Sequence, residues 1–311
     1  MAPCQVADKF NGGGGMKAEQ RNPGPAWGYR FLQWASAWLP RPLFRWSLRA
    51  GAVVGWALMP RARACSRSYW KTVTGQRQTL LQQWRHFADF AETLVAKLEL
   101  SRGLQPQFHL ADEQAGQEFM ELCRSERPAL FGSFHIGEAD LMGAYLSVFD
   151  REIHMIRLRV GNSGDTDALE EAFAGALKFI WINQPDDMLF ALKRALEAGH
   201  SIALHCDRLG FGSRREAFEF LGARRWFPFT IYHLSALFQV PVVFAFAARR
   251  DERGSIPVVT SPVFEPGDNK AKSLARGKLH FQAVLRQVEA LLRADPYLWF
   301  NFEPLNEEVA S

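Results

Sequence analysis

The chain has 311 residues, 48% of them hydrophobic and 23% charged, which suits one large globular domain with appendages. Its cysteines (Cys4, Cys65, Cys123 and Cys206) form no CxxC pair, which argues against a disulfide framework or a cysteine-rich zinc site and favours a reducing compartment. The formal net charge of +4 is unremarkable as a total, but its distribution along the chain is not.

The first 75 residues divide into two parts of different character. Residues 1–26 are polar and rich in glycine and proline, without a secretory signal pattern, and we expect them to be disordered. Between Glu19 and Asp89 there is no acidic residue, but there are eleven basic residues and seven of the ten tryptophans. The remainder of the chain is therefore net negative. This asymmetry predicts that helices in residues 27–75 meet an anionic surface.

The spacing of these residues favours a membrane over a nucleic acid, for which the sequence has no binding motif. Arg41, Arg45 and Arg49 recur every four residues on one face of a predicted helix. The longest uncharged run, residues 50–59, is too short to cross a bilayer about 30 Å thick, so we expect helices lying in the interface. Two alternatives stay open: a helix pair that caps the core with a solvated basic face, and a tilted spanning helix over residues 40–60.

From residue 76 to residue 311 the pattern predicts an α/β domain. Helices are predicted over residues 76–100, 111–126, 138–148, 165–177, 186–198, 228–239 and 270–293. Strands are predicted over residues 129–134, 152–158, 178–182, 201–206, 241–247 and 256–260. This alternation indicates a mostly parallel central sheet flanked by helices.

A histidine and an acid stand where the first of these strands passes into a helix. The apolar run 129–131 is followed by Gly132 and Ser133, and the strand stops at His135, with Asp140 five positions further on. A carboxylate on one ring nitrogen fixes the tautomer and leaves the other nitrogen as a base, which can activate a hydroxyl or an amine. The plain alternative is a hydrogen-bonded structural histidine, since this spacing is common by chance.

A second charged loop follows the strand that ends at Cys206. It holds Asp207 and Arg208, and loops that leave the carboxyl edge of a parallel sheet are where ligands bind in open α/β folds. The alternative is a surface turn with a solvated salt bridge. Further along, Phe220 and Gly222 belong to a segment with four phenylalanines, which would either line a channel for an acyl chain or belong to the core.

The sequence argues against several other kinds of site. Ser133 is not in a G-x-S-x-G nucleophile elbow, and the glycines at positions 12–15 follow no predicted strand, as a P-loop or a dinucleotide fingerprint requires. His205 lies in an apolar strand with no cluster of carboxylates around it in the sequence, so we predict no metal site and no cofactor.

Taken in order, these segments resemble the bacterial late acyltransferases of lipid A biosynthesis, within the lysophospholipid acyltransferase-like superfamily. The specific part of the resemblance is the His-x-x-x-x-Asp block from His135 to Asp140. The chain looks more similar still to the shorter acyltransferases associated with glycolipid and aryl-polyene genes. It departs from the lipid A enzymes in having Asp140 where they usually carry Glu, and in lacking their basic C-terminal end, which argues against lipid A itself as the acceptor.

The resemblance implies a glycerolipid acyltransferase-like enzyme at the cytoplasmic face of the bacterial inner membrane. Such an enzyme takes a fatty acyl group from acyl-carrier protein or CoA and passes it to a hydroxyl or amine of a lipid or glycolipid. His135 would be the general base and Asp140 its partner. Substrate contacts are expected from a further set of positions: Gly132, Ser133, Glu138, Asp207, Arg208, Phe220 and Gly222. The competing hypotheses are a lipid hydrolase and a non-enzymatic peripheral lipid-binding protein on the same fold.

Overall fold

The structure, a computed structural model, describes residues 34–35, 38–100, 106–147, 149, 151–157, 177–181, 185–209, 214–251 and 254–309. The predicted disordered segment 1–26 and the early tryptophan Trp27 lie outside these ranges. So does the predicted helix 165–177, except for its last residue, which begins a strand.

The helices begin and end at local sequence signals. Asp112 caps one helix by accepting the backbone N–H of Ala115 at 2.7 Å, and Gly75 ends another in the left-handed conformation at φ 72°. Short 3₁₀ turns cover Ala139–Leu141 and Pro296–Leu298. The described helices are α1 (Arg41–Leu58), α2 (Pro60–Thr74), α3 (Leu80–Leu100), α4 (Glu113–Arg124), α5 (Met142–Ser147), α6 (Pro185–Glu197), α7 (Thr230–Phe238) and α8 (Lys270–Ala294).

The main sheet is mostly parallel and flanked by helices, as predicted. Its described strands are β1 (Gln107–Leu110), β2 (Leu130–Ser133), β3 (Ile153–Arg157), β4 (Leu177–Trp181), β5 (Ser201–His205), β8 (Val242–Ala247) and β9 (Ser255–Thr260). They follow the order β1-β9-β8-β2-β5-β3-β4, and only the β8–β9 pair is antiparallel. A separate antiparallel hairpin consists of β6 (Arg215–Phe220) and β7 (Ala223–Pro228). The sequence predicted neither β1 nor this hairpin.

The sheet separates two apolar layers, and alternate residues of each central strand belong to opposite layers. In β2, Leu130 packs into the layer beneath α6, α7 and α8, whereas Phe131 packs against α4 and α5. In β8 every residue is buried, which is typical of a strand covered by helices on both faces. Because apolar side chains cover both faces of the sheet, polar side chains can come together at the carboxyl ends of β2 and β5.

The N-terminal helices have different environments. Helix α2 is part of the core, since Tyr69 is 1% exposed and stacks on Trp299 at a ring-centroid distance of 5.7 Å. Helix α1 packs on α3, and Phe44, Leu48 and Ala52 are buried on α1. On the opposite side of α1, Trp46 is 75% exposed.

Two of the three arginines predicted to face the membrane lie at the contact between α1 and α3. Arg45 and Arg49 lie 3.4 and 3.1 Å from the carboxylate of Glu92 on α3. The surface of α1 that faces outward is therefore mainly apolar, comprising Leu43, Trp46, Val53, Val54 and Leu58. Over the described part of the chain, no helix combines the length and the hydrophobicity that crossing a membrane requires.

Candidate functional site

The candidate site forms where two adjacent parallel strands end. Ser133 of β2 is in register with His205 of β5, and the N–H of Cys206 donates to the Ser133 carbonyl at 2.8 Å. His135 and Asp207 each follow two residues after these partners, so the fold places them side by side at the carboxyl edge of the sheet.

The imidazole of His135 is hydrogen-bonded to the carboxylate of Asp207. Its Nδ1 lies 2.8 Å from Oδ1 and 2.9 Å from Oδ2, and the backbone N–H of His135 donates to Oδ2 at 3.2 Å. The carboxylate is fully buried, whereas the side chain of His135 remains 27% exposed. A proton on Nδ1 leaves Nε2 as the basic nitrogen of the neutral ring.

The environment of Asp207 keeps its carboxyl group ionised. Burial by itself would raise the pKa of Asp207, but the charge and hydrogen bond of His135, and then Arg208, outweigh it and hold that pKa well below its usual range. A second imidazole, that of His205, acts in the same direction and stacks on the His135 ring at a centroid distance of 4.2 Å. A buried anion thus orients one imidazole and stabilises positive charge on it.

The loop that carries His135 is fixed by its own backbone. The N–H of Gly137 donates to Leu298 at 2.8 Å, and the N–H of Phe300 donates to the His135 carbonyl at 2.9 Å. Gly137 has φ +52°, and a Cβ there would collide with the carbonyl of Ala247. That same carbonyl accepts the N–H of Glu138 at 2.9 Å. The C-terminal tail therefore positions the histidine, and the amides of this loop are already used.

The same tail holds the Asp207–Arg208 loop. Arg208 donates through Nε to Asn301 at 2.9 Å, and its Nη1 lies 3.7 Å from Glu303. The side-chain amide of Asn306 donates to the Asp207 carbonyl at 3.1 Å. The guanidinium is thus oriented beside the His135–Asp207 pair while keeping 26% of its side chain exposed.

An apolar cavity adjoins the pair. It lies between the sheet and residues 139–146, and it extends to His205, whose ring stacks on His135. Its walls are formed by Phe131, Gly132, Ser133, Ala139, Met142, Gly143, Leu146, Ile153, Met155, Ala203, Leu204, His205 and Ala245. The lining is apolar, but the cavity has a volume of only about 30 Å³, which is room for no more than a few water molecules, so it would have to widen to take an acyl chain.

The structure places the predicted residues in and just before the His-x-x-x-x-Asp block as follows. The backbone of Asp140 lies in the 3₁₀ turn Ala139–Leu141, but its side chain is outside what the structure describes. Ser133 donates its hydroxyl to the Ala245 carbonyl at 2.9 Å. Gly132 lies against the ring of Phe244, where a Cβ would clash. Both Gly132 and Ser133 line the cavity.

Two further predicted contact residues lie in the hairpin. Phe220 is 1% exposed and packs in the core against Phe227, at a centroid distance of 5.3 Å. Gly222 is exposed in the β6–β7 turn at φ +77°. Neither residue is part of the cavity lining described above.

Sequence reasoning missed the partnership between His135 and Asp207, which are 72 positions apart. The sequence did contain a signal for this pairing. Residues 133–135 and 205–207 each stand at the carboxyl end of a predicted strand, and the carboxyl ends of adjacent parallel strands lie side by side. It also missed Asn301 and Asn306, whose roles depend on where the tail runs.

Among the residues that the structure describes, two groups of side chains have a geometry that could hold a metal ion. One is His135, His205 and Asp207, whose potential ligand atoms lie within 4.8 Å of one another. The expectation of no metal rested on the absence of a cluster of carboxylates around His205 in the sequence, and the structure brings His135 to His205 and Asp207. The other group is Glu152, His154 and His200, at the opposite edge of the sheet.

Compared with protein-family models and with curated proteins, the chain matches none of them.

Proposed function

We propose that this protein is an acyltransferase that moves a fatty acyl group from a thioester to a hydroxyl or amine of a lipid or glycolipid. The observation that carries the proposal is the His135–Asp207 pair, buried on the carboxylate side and open on the imidazole side, beside an apolar cavity. The His-x-x-x-x-Asp block and the resemblance built on it point to the same chemistry.

In the proposed mechanism, Nε2 of His135 removes the proton from the acceptor hydroxyl as its oxygen attacks the thioester carbonyl carbon. The Asp207 carboxylate holds Nδ1–H and stabilises the resulting imidazolium. When the tetrahedral intermediate collapses, the carbon–sulfur bond breaks and Nε2–H returns the proton to the thiolate. The products are the acyl ester and a free thiol, and the acceptor itself serves as the nucleophile.

The negative charge on the intermediate needs a hydrogen-bond donor. The candidates are the backbone amides near Gly132 and Ser133 and the side chain of Arg208, and Arg208 is the better of them. Gly132 pairs with strands on both sides, and the amides of residues 135–138 are hydrogen-bonded elsewhere. The Arg208 guanidinium is charged and oriented by Asn301. It is suited either to the thioester oxygen or to an anionic group of a substrate.

Attachment to a membrane is part of the proposal, since a lipid acceptor must be reached. The outward surface of α1 is apolar and tryptophan-bearing, with arginines along its flank, which fits a helix lying in the interface of an anionic leaflet. We place the enzyme at the cytoplasmic face of the bacterial inner membrane, with acyl-carrier protein or CoA as donor carrier.

The test is a two-part lipid measurement. Cells with and without the gene are compared by mass spectrometry of total lipids, and the purified protein is then incubated with labelled acyl-carrier protein or acyl-CoA and a lipid extract. We expect an acylated lipid that is missing from the deletion strain and from a His135→Ala control. Free fatty acid as the main product would favour the hydrolase, and no turnover with either donor would favour the lipid-binding protein.

A further inference from the structure

A second polar cluster lies at the amino edge of the sheet, away from His135. Glu152 directly precedes β3, His154 is within β3, and His200 directly precedes β5. These strands are adjacent and parallel, and the N–H of Ser201 donates to the Glu152 carbonyl at 3.0 Å. The backbone thus holds the three side chains at one place, although His154 and His200 are 46 positions apart.

The donor atoms of the three side chains converge. Glu152 Oε1 lies 2.8 Å from His154 Nε2 and 2.9 Å from His200 Nδ1, and the two nitrogens are 3.2 Å apart. In a tetrahedral zinc site with bonds of about 2.0–2.1 Å, neighbouring ligand atoms lie about 3.3 Å apart. The triangle is therefore one face of such a site, slightly contracted.

Hydrogen bonding alone does not account well for this arrangement. A carboxylate oxygen has lone pairs for about two donors. Here Oε1 is within 2.9 Å of three nitrogens, because Lys178 Nζ also lies 2.9 Å away. A cation bound by the lone pairs of Oε1 and both imidazoles would make the short contacts among those three ligand atoms favourable.

We propose that Glu152, His154 and His200 bind a divalent transition-metal ion of the zinc class. Two imidazoles and one carboxylate suit zinc better than magnesium or calcium, which prefer oxygen ligands. Among the residues that the structure describes around the cluster, Lys178 is the group that opposes a cation, and its side chain, 55% exposed, has room to turn toward solvent. The three ligands are 16–31% exposed, which leaves the fourth position to water. Such an ion would tie together the amino ends of β3 and β5.

The experiment uses the full chain without a histidine tag, stripped with a chelator and dialysed against Zn²⁺, with bound metal measured by mass spectrometry. We expect a saturable zinc site that His154→Gln and His200→Gln each weaken by at least about 10-fold, since loss even of an outer partner costs that much. The control is His109→Gln, an exposed histidine hydrogen-bonded to Ser255. It should bind zinc as the wild type does, and Mg²⁺ should not compete.

Two further variants keep the test decisive. Lys178→Met removes the opposing charge and should tighten zinc binding, an effect that a variant with damaged folding would not give. His135→Ala should leave this site intact, because it belongs to the other group of potential ligands. The proposal is overturned if wild-type protein takes up no zinc, if His200→Gln binds it unchanged, or if His135→Ala alone abolishes binding.

Discussion

His135 and Asp207 are joined by a hydrogen bond from a partly exposed imidazole to a buried carboxylate, with Nδ1 lying 2.8 Å from Oδ1. The carboxylate also accepts the backbone N–H of His135, so ring and backbone are held by one group. This relationship determines which nitrogen can act as a base, and the first predictions follow from it.

Replacing His135 by alanine should abolish acyl transfer while the protein stays folded. The loss of general-base function should lower kcat by at least about 100-fold. The measurement is turnover with a labelled acyl donor, accompanied by circular dichroism and thermal unfolding. The exposed His109 provides the matched control, and its alanine variant should be fully active. Turnover of His135→Ala near the wild-type rate would remove this residue from the chemistry.

Replacing Asp207 by asparagine should lower kcat by at least about 100-fold with a much smaller change in KM. The amide cannot stabilise the imidazolium and permits the wrong tautomer. Asp140→Asn and Glu138→Gln form the comparison, because the resemblance assigns the partner role to Asp140 whereas the hydrogen bonds described above involve Asp207. We expect Glu138→Gln to be the mildest of the three. A loss confined to Asp140→Asn would return the role to the His-x-x-x-x-Asp acid.

Arg208→Lys should impair turnover even though it retains the positive charge, because the ammonium cannot reproduce the planar guanidinium. Asn301→Ala should have a smaller effect of the same kind, since Asn301 orients Nε at 2.9 Å. Steady-state kinetics of both variants, with Arg286→Ala on the exposed side of α8 as control, measure this. Full activity of Arg208→Ala would reduce the loop to a surface turn.

The outward face of α1 should carry membrane attachment. Replacing both Leu43 and Trp46 by serine should weaken binding to anionic and neutral vesicles, with each lost side chain costing on the order of 2 kcal/mol. Co-sedimentation measures the bound fraction. Leu279→Ser is the matched control, because Leu279 is 75% exposed on α8, a different helix. If wild-type protein stays in the supernatant with both kinds of vesicle, the interfacial proposal fails.

Reversing Arg41, Arg45 and Arg49 to glutamate tests the electrostatic part of attachment. Each basic residue near an anionic surface contributes on the order of 1 kcal/mol, and salt screens much of it. We expect release from anionic vesicles and little change with neutral ones. Arg45 and Arg49 also pair with Glu92, so the thermal midpoint must be measured alongside. A Glu92→Gln control separates loss of these pairs from loss of lipid attraction.

Stability should fall as the pH drops below neutral, because of His86. This histidine is fully buried, and burial lowers its pKa to about 4 despite the hydrogen bond to Trp299 at 2.7 Å. In the unfolded chain its pKa is about 6.5. Between these values the unfolded state binds the extra proton, so the free energy of unfolding decreases as pH falls, by on the order of 3 kcal/mol.

Urea unfolding between pH 7 and pH 4.5 measures this slope, and His86→Gln should flatten it whatever its effect on stability at pH 7. An equal slope in that variant would contradict the assignment. Asp207 affects the free energy of unfolding at lower pH than His86 does. Its pKa is depressed in the folded state, so its contribution is present above the unfolded value of about 3.9 and is lost as the pH falls below it.

Much of the fold was predictable from local pattern. The buried run of β8 and the helix that starts at Pro185 follow from hydrophobic periodicity and proline placement, which act over a few residues. The hairpin β6–β7 is not evident from local pattern, because its phenylalanines fit a core or channel segment equally well. Its turn also places Leu221 at φ 51° beside Gly222 at φ 77°, and leucine rarely adopts this left-handed conformation.

The sequence by itself determined that a histidine and an Asp–Arg loop lie at the carboxyl edge of a mostly parallel sheet. The tertiary structure decided their pairing, because β2 and β5 are adjacent only through the packing of the whole chain. The same holds for Glu152, His154 and His200, which strand order brings together. It holds also for α1, where periodicity displayed apolar and basic faces but contact with α3 decided which face remained outside. Local interactions determine where helices and strands form, whereas contacts between distant side chains depend on how those helices and strands pack around one core.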